Sequence, residues 1–413
     1  MHFQGIAGLV VLIGIAWALS EKKSEVSYKG VLAGLALQLV IALILLNVPV
    51  FKQIFLSLNR LVLSLEEATR AGTSFVFGYL GGAPLPFDEK SPGMSYTLAF
   101  QALPLVLVVG ALSSLLFYWR ILPAIVKVFS LLFQKTLNLG GALSLGASTT
   151  IFLGMVETPL LIKPYLLEMT RSELFSLMAC GMASIAGTVM VLYSTILKGI
   201  IPDPLGHILI ASLIHIPAAI TVSRVMIPGT GEQTAGMLVP EQTAKSPLDA
   251  IARGTLDGLN LLFNIGALLI VAVALVNLVN QGLSLLPVIG GKAVTLQMLL
   301  GYVMAPIVWL FGIPWAEAQT AGYLMGTKTI LNELLAFLEL AKTPEAMLSP
   351  RSRLIMTYAL CSFANFGSLG ILIGGLGSLI PERRTEVVSL GIKAIIAGTL
   401  ATCMTGAVVS LFV

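Results

Sequence analysis

Residues 139–168 read LGGALSLGASTTIFLGMVETPLLIKPYLLE, and residues 314–341 read PWAEAQTAGYLMGTKTILNELLAFLELA. Each segment has apolar arms two or three helical turns long around a middle of Gly, Thr and one glutamate, Glu157 or Glu333. That middle is too polar for an ordinary membrane span. A re-entrant helical hairpin fits it, because broken backbone at membrane depth is tolerated only against protein or a watery cavity.

The surrounding chain supplies the membrane. Of 413 residues, 57% are hydrophobic and 11% charged, with mean hydropathy +0.95. A soluble protein carries roughly 25% charged residues. Three cysteines rule out a secreted disulfide scaffold, and the hydrophobicity rules out disorder. The apolar runs do not alternate with polar residues as barrel strands do. The fold class expected is therefore an all-α polytopic membrane protein. Stretches of spanning or near-spanning length are 4–19, 31–48, 96–118, 173–200, 207–227, 254–283, 354–373 and 387–412. Segments 54–80 and 119–136 mix charge with apolar residues at helical spacing and read as interfacial helices. The run 295–311 is open: it can span, lie flat or pack inside.

Sequence after the two hairpins matches at an offset near 180. Arg171-Ser172 leads to Cys180, Ala183 and Ser184; Arg351-Ser352 leads to Cys361, Ala364 and Asn365. Each copy contains span, hairpin, span, span. Three crossings per copy is odd, so the copies are inverted. Inverted repeats with broken helices meeting at mid-membrane mark secondary transporters. The first apolar run lacks a basic start and is followed by Lys22, Lys23 and Lys29. It reads as a retained span with its N-terminus outside and the lysines in the cytoplasm. Arg351 and Arg353 then fall outside, against the positive-inside rule. The organisation expected is N-terminal spans, interfacial helices and scaffold over 1–136, then the first hairpin and transport-domain helices over 137–227. A cytoplasmic loop follows over 228–253, a scaffold span and connecting helix over 254–313, and the second hairpin and transport-domain helices over 314–413.

A carboxylate at membrane depth costs roughly 3 kcal/mol or more unless watered or paired, so Glu157 and Glu333 mark a site. Short polar residues surround them: Ser148, Thr149, Thr150, Ser184, Thr327, Thr329, Asn332, Asn365 and Ser368. Such groups suit a neutral, hydroxyl-rich solute, although each singly reads as a helix–helix hydrogen bond. His2, His207 and His215 have no metal-ligand spacing, and no metal or cofactor is expected. No Walker lysine loop is present. Cys180, Cys361 and Cys403 read as buried small hydrophobes. Asp257, Asn260 and Asn264 can line a polar seam or serve structure. The net charge of +4 carries no nucleic-acid signal, and no such partner is expected. Without a nucleophile or metal constellation beside the acids, an intramembrane enzyme is disfavoured. A non-transporting scaffold with a degenerate gate is disfavoured as well.

The chain resembles the concentrative nucleoside transporters over nearly its whole length. The resemblance is carried by Gly154-Met155-Val156-Glu157 with Pro159, Ser184-Ile185-Ala186-Gly187, and Gly312-Ile313-Pro314-Trp315 with Glu317 and Ala318. Asn332-Glu333, Phe363-Ala364-Asn365 and Gly374-Gly375-Leu376-Gly377 complete it. The resemblance implies a homotrimer in the cell (inner) membrane, with eight spans, two re-entrant hairpins and a transport domain moving elevator-fashion. It implies that Glu333, Asn365 and Ser368 bind ribose with Phe363 nearby, that Glu157 reaches ribose through water, and that Val189 packs on the base. Members often carry Gln and Thr where this chain has Met155 and Val156, which cannot hydrogen-bond a base as those residues do. A missing partner costs about 1–3 kcal/mol at a buried polar edge, so purine or modified nucleosides, or another ribosylated or polyhydroxyl solute, stay open. Sodium-coupled members carry Asn where this chain has Thr150; Leu153 and Ile185 offer carbonyls and Ser184 a hydroxyl. The coupling ion expected is H+, carried on Glu157, in preference to Na+.

Overall fold

The computed structural model describes residues 2–88, 95–155, 157–229, 231–236, 244–288 and 293–413. It is helical, with no strand among the described residues. Helix α1 (His2–Ala18) and α2 (Tyr28–Asn47) are followed by α3 (Pro49–Phe77), which takes in the 54–80 segment except for its last three residues, and these belong to a 3-10 turn (Gly78–Gly81). Pro49 stands at its first turn, where a missing N–H costs nothing. A π-turn (Leu98–Ala102) leads into α4 (Leu105–Tyr118), and α5 (Ile121–Leu137) covers the 119–136 segment from its third residue on.

The first hairpin descends as α6 (Gly141–Thr149) and returns as two short pieces, α7 (Glu157–Leu161) and α8 (Lys163–Leu166). The stretch 173–200 is not one continuous helix. It is α9 (Arg171–Ala183) and α10 (Gly187–Ile196), separated at Ser184–Ala186. A capping box between Thr170 and Glu173 starts α9. Helix α11 (Pro204–Met226) runs unbroken apart from Pro217, and α12 (Pro247–Leu283) is 37 residues long.

Helix α13 (Leu296–Leu310) packs along its length against α14 (Trp315–Ile330), the first arm of the second hairpin. Gly301 and Gly322 make that crossing close: a β-carbon on Gly322 would strike the Gly301 carbonyl. The 295–311 run is thus a helix packed on the hairpin. Helix α15 (Glu333–Lys342) forms the second arm. The stretch 354–373 is also two helices, α16 (Pro350–Leu360) and α17 (Phe366–Leu379), before α18 (Arg384–Val409) closes the chain. The sequence shows why both spans break. Asn365 turns its side chain to cap α17 at the Ser368 amide, 2.7 Å away. At the first break the Gly187 amide donates to the Phe152 carbonyl instead of a helical partner (2.8 Å).

Six helical segments are long and apolar enough to cross a membrane; α1, α13 and α17 are shorter apolar helices. Helices α9, α11 and α18 form the buried centre. Helices α1 and α2 lie against α11 and α18, while α4 pairs closely with α12. Helix α12 is otherwise mostly uncovered. Its crossing with α4 is again made of glycines, Gly110 against Gly254 and Gly258.

Charges group by end. Glu21, in the α1–α2 turn, accepts hydrogen bonds from Arg171 (2.9 Å) and Lys393 (2.7 Å). Arg383 joins the same face through Glu386 (2.8 Å) and the Met169 carbonyl (2.6 Å). Arg351 and Arg353 stand apart from this cluster. Arg351 donates to the carbonyls of Gly312, Ser410 and Val413; Arg353 donates to those of Leu348 and Thr343. Both are taken up by backbone carbonyls, those of Arg351 at the ends of α13 and α18.

Candidate functional site

The two hairpin tips and the two helix breaks converge. The Phe363 amide, in the second break, donates to the Ser184 carbonyl, in the first (3.1 Å). Beside them lies a cavity of about 360 Å³ lined by both tips, both breaks and α12. Glu157 and Glu333 line this same cavity, as do Met155, Val189, Phe363, Asn365 and Ser368. The size falls in the range of small-ligand sites.

Glu333 is held on both oxygens. The Tyr193 hydroxyl donates to Oε1 at 2.6 Å, and Asn365 Nδ2 donates to Oε2 at 2.9 Å. Glu333 is only 5% exposed and opens α15, whose cap is the Asn332 side chain accepting from the Leu335 amide (3.0 Å). A carboxylate at a helix N-terminus is favoured by the dipole there. Each carboxylate oxygen has further lone pairs, so it can also accept from a ligand hydroxyl. Tyr193 is fixed in turn by Phe337, with ring centroids 5.0 Å apart. Tyr193 is not among the residues that the sequence singles out. Its position on α10, one helical turn beyond Val189, is the signal that could have found it.

Met155 turns an apolar side chain to the cavity, alongside Val189, Leu192 and Ile371. Val156 lies outside the described residues. The polar cluster divides. Asn332, Asn365 and Ser368 line the cavity. Ser148, Thr149, Thr327 and Thr329 donate back to carbonyls four residues earlier, as isolated hydroxyls in apolar helices do. Asp257 lines a second cavity, of about 240 Å³, together with Ser113, Ser114, Thr188 and Glu157. Glu157 is therefore shared between two cavities beside the first hairpin's tip. Asn260 and Asn264 lie on the exposed side of α12.

The candidate ion-coupling residues also meet at the first break. Thr150, Ser184 and Ile185 are buried and Leu153 half-buried. The Thr150 hydroxyl donates to the Ala147 carbonyl (2.8 Å), leaving its lone pairs free. The Ser184 hydroxyl is buried with no partner. A buried polar atom of this kind calls for an unseen water or ion, so the oxygen-rich set fits a small cation. The three cysteines are buried and free, and no group of His, Cys, Asp and Glu among the described residues could hold a metal.

Two hairpins whose acids share a cavity, beside two mirrored broken helices, define a secondary transporter of the inverted-repeat class. Residues 7–80 match the Na+ dependent nucleoside transporter N-terminus, 99–199 match Gate, nucleoside recognition, and 207–410 match the Na+ dependent nucleoside transporter C-terminus. The chain is 33% identical to the nucleoside permease NupC of Helicobacter pylori, covering 99% of this chain and 97% of that one. It is 36% identical to the uncharacterized transporter YutK of Bacillus subtilis, covering 99% of each. The structure of CNTnw in an inward-facing substrate-bound state superposes with a TM-score of 0.89 at 31% identity, covering 99% and 97%. The chain belongs to the concentrative, Na+-dependent nucleoside transporter family, whose members are transporters and not enzymes.

Proposed function

We propose that this protein imports nucleosides into the cell across the inner membrane, driven by a coupled ion. The observation that carries this reading is the shared cavity, where Glu333 is oriented by Tyr193 and Asn365 while Glu157 faces the same space. Ribose presents vicinal hydroxyls, and two carboxylates plus Asn365 and Ser368 supply acceptors and donors for them. The apolar wall of Met155, Val189 and Phe363 takes the base. With no amide at Met155, a purine or modified base held by contact is favoured over a pyrimidine read by hydrogen bonds. Another ribosylated or polyhydroxyl solute is the alternative, and competition of labelled uridine and adenosine uptake by a solute panel separates the two.

A proton is the favoured coupling ion. Glu157 borders both cavities, so it is placed to exchange a proton with either one. Sodium is the second reading, favoured by the unpartnered Ser184 hydroxyl beside Thr150. The NupC relative is described as a nucleoside permease and the rat relative as a sodium/nucleoside cotransporter, and both ions stay within reach of such a site.

Movement follows from the packing. The hairpins, α9–α11 and α16–α18 form a body that carries the site, while α4 and α12 form a closely crossed pair beside it. An elevator-type shift of the first against the second exposes the cavity to each side in turn. The uncovered length of α12 suits contact with further copies in a homotrimer. Uptake of labelled nucleoside into proteoliposomes with separate sodium and proton gradients tests the whole reading. Accumulation that follows the proton gradient is expected; accumulation that tracks only sodium selects the second ion, and none under either gradient discards import.

A further inference from the structure

One buried charge has no part in the site as described so far. Lys328, on α14 in the second hairpin, is fully buried. Its ammonium donates to the Ala359 carbonyl at 3.0 Å and to Thr402 Oγ1 at 3.3 Å. Among the described residues it has no carboxylate at salt-bridge distance. A lysine ammonium taken out of water costs several kcal/mol unless its field is balanced. Two neutral oxygens are a weak balance, so a stabilising feature beyond them is required.

The position supplies it. Ala359 lies in the last turn of α16, where unpaired carbonyls give the helix its negative pole. The helix then breaks, and Asn365 beyond the break donates to Glu333. Lys328 itself lies five residues before Glu333 on the same hairpin. The ammonium thus faces a helix's negative pole.

The two repeats differ here. In the register that pairs Cys180 with Cys361 and Ser184 with Asn365, the Ala359 carbonyl corresponds to that of Met178, so the lysine belongs to the second half alone and is not a copy of the Ser184 place.

We propose that Lys328 is a resident counter-cation. It balances the carbonyl end of α16, where Ala359 and Thr402 receive its ammonium. It thereby keeps the α16 break, Asn365 and Glu333 in nucleoside-binding geometry. Lys328 is a positioning residue, and the inference rests on the nucleoside-site reading above.

Calorimetric titration of the purified, full-length protein with adenosine and uridine tests this. The variants are Lys328→Met, which keeps length and loses charge, and Lys328→Arg, which keeps charge and changes shape. Lys328→Ala is titrated with methylammonium or with choline at equal ionic strength. We expect Lys328→Met to bind about tenfold or more weakly and Lys328→Arg to bind within about threefold of the unaltered protein. Methylammonium, but not choline, should restore binding to Lys328→Ala. That rescue decides the matter if Lys328→Met does not fold. Equal weakening of the Met and Arg variants, or unchanged binding by either neutral variant, overturns the proposal while leaving the nucleoside site intact. Absence of nucleoside binding by the unaltered protein overturns the site reading and this proposal together.

Discussion

The Tyr193 hydroxyl lies 2.6 Å from Glu333 Oε1, joining α10 of the first repeat to the tip of the second hairpin. The bond is buried and crosses the pseudo-symmetry of the fold, so the second acid's aim depends on a residue from the other half. Removing the hydroxyl in Tyr193→Phe leaves Glu333 one oriented partner, Asn365. We expect a loss of about 1–3 kcal/mol in nucleoside binding, roughly five- to 150-fold in KM, with protein yield and oligomeric state unchanged. Glu333→Gln should remove most transport. Initial uptake rates against nucleoside concentration check both.

Glu157 differs from Glu333 in bordering two cavities. If it carries the coupled proton, Glu157→Gln uncouples: exchange of nucleoside across vesicles persists while concentration against a proton gradient is lost. A Glu157→Gln protein that still accumulates nucleoside on a proton gradient rules out this carrier. The same hairpin tip gives a steric test. A β-carbon at Gly154 would collide with the Glu157 carboxylate, so Gly154→Ala should displace that carboxylate and imitate part of the Gln variant.

Met155 tests base selection. It is 6% exposed and turned to the cavity, so Met155→Gln places an amide where the base edge is expected. Paired with Val156→Thr, it should raise uridine uptake relative to adenosine. An unchanged ratio in competition assays removes the base-facing assignment.

Outside the membrane, Arg171 and then Lys393 hold the Glu21 carboxyl down to about 2, against an ordinary value of 4.5. Because the folded value is the lower one, the stabilisation is fully present above about pH 4.5 and is lost as pH falls toward 2. The side chains are partly exposed, so each pair contributes about 1 kcal/mol or less. Glu21→Gln should therefore melt slightly lower than the unaltered protein at pH 7, with the gap closing between pH 4.5 and 2. Melting temperatures across that range in detergent check it, and a constant gap contradicts it.

Much of this was legible in the residues because membrane physics is strict. Two polar middles with a central acid, at 139–168 and 314–341, had few places to go, and the structure makes both into hairpins. The matching Arg-Ser and Cys-Ala patterns revealed the repeat because they include polar residues, which apolar helices do not share by composition alone. Other features were hidden for equally physical reasons. The breaks at Ser184–Ala186 and Cys361–Asn365 lie inside runs apolar enough to cross, so hydropathy reads through them. The hydroxyls of Ser148, Thr149, Thr327 and Thr329 look like site groups by proximity, yet satisfy themselves on their own helices. Tyr193 offers only its helical spacing from Val189, and Lys328 carries no local pattern at all. Their roles arise only when distant helices meet.

The central claim is that Glu157 and Glu333 bound one nucleoside site. Calorimetric titration of adenosine and uridine into the unaltered protein, Glu333→Gln and Glu157→Gln tests it most directly. The account predicts saturable binding to the unaltered protein, loss of binding to Glu333→Gln, and weakened binding to Glu157→Gln. Equal affinity for all three proteins would contradict it.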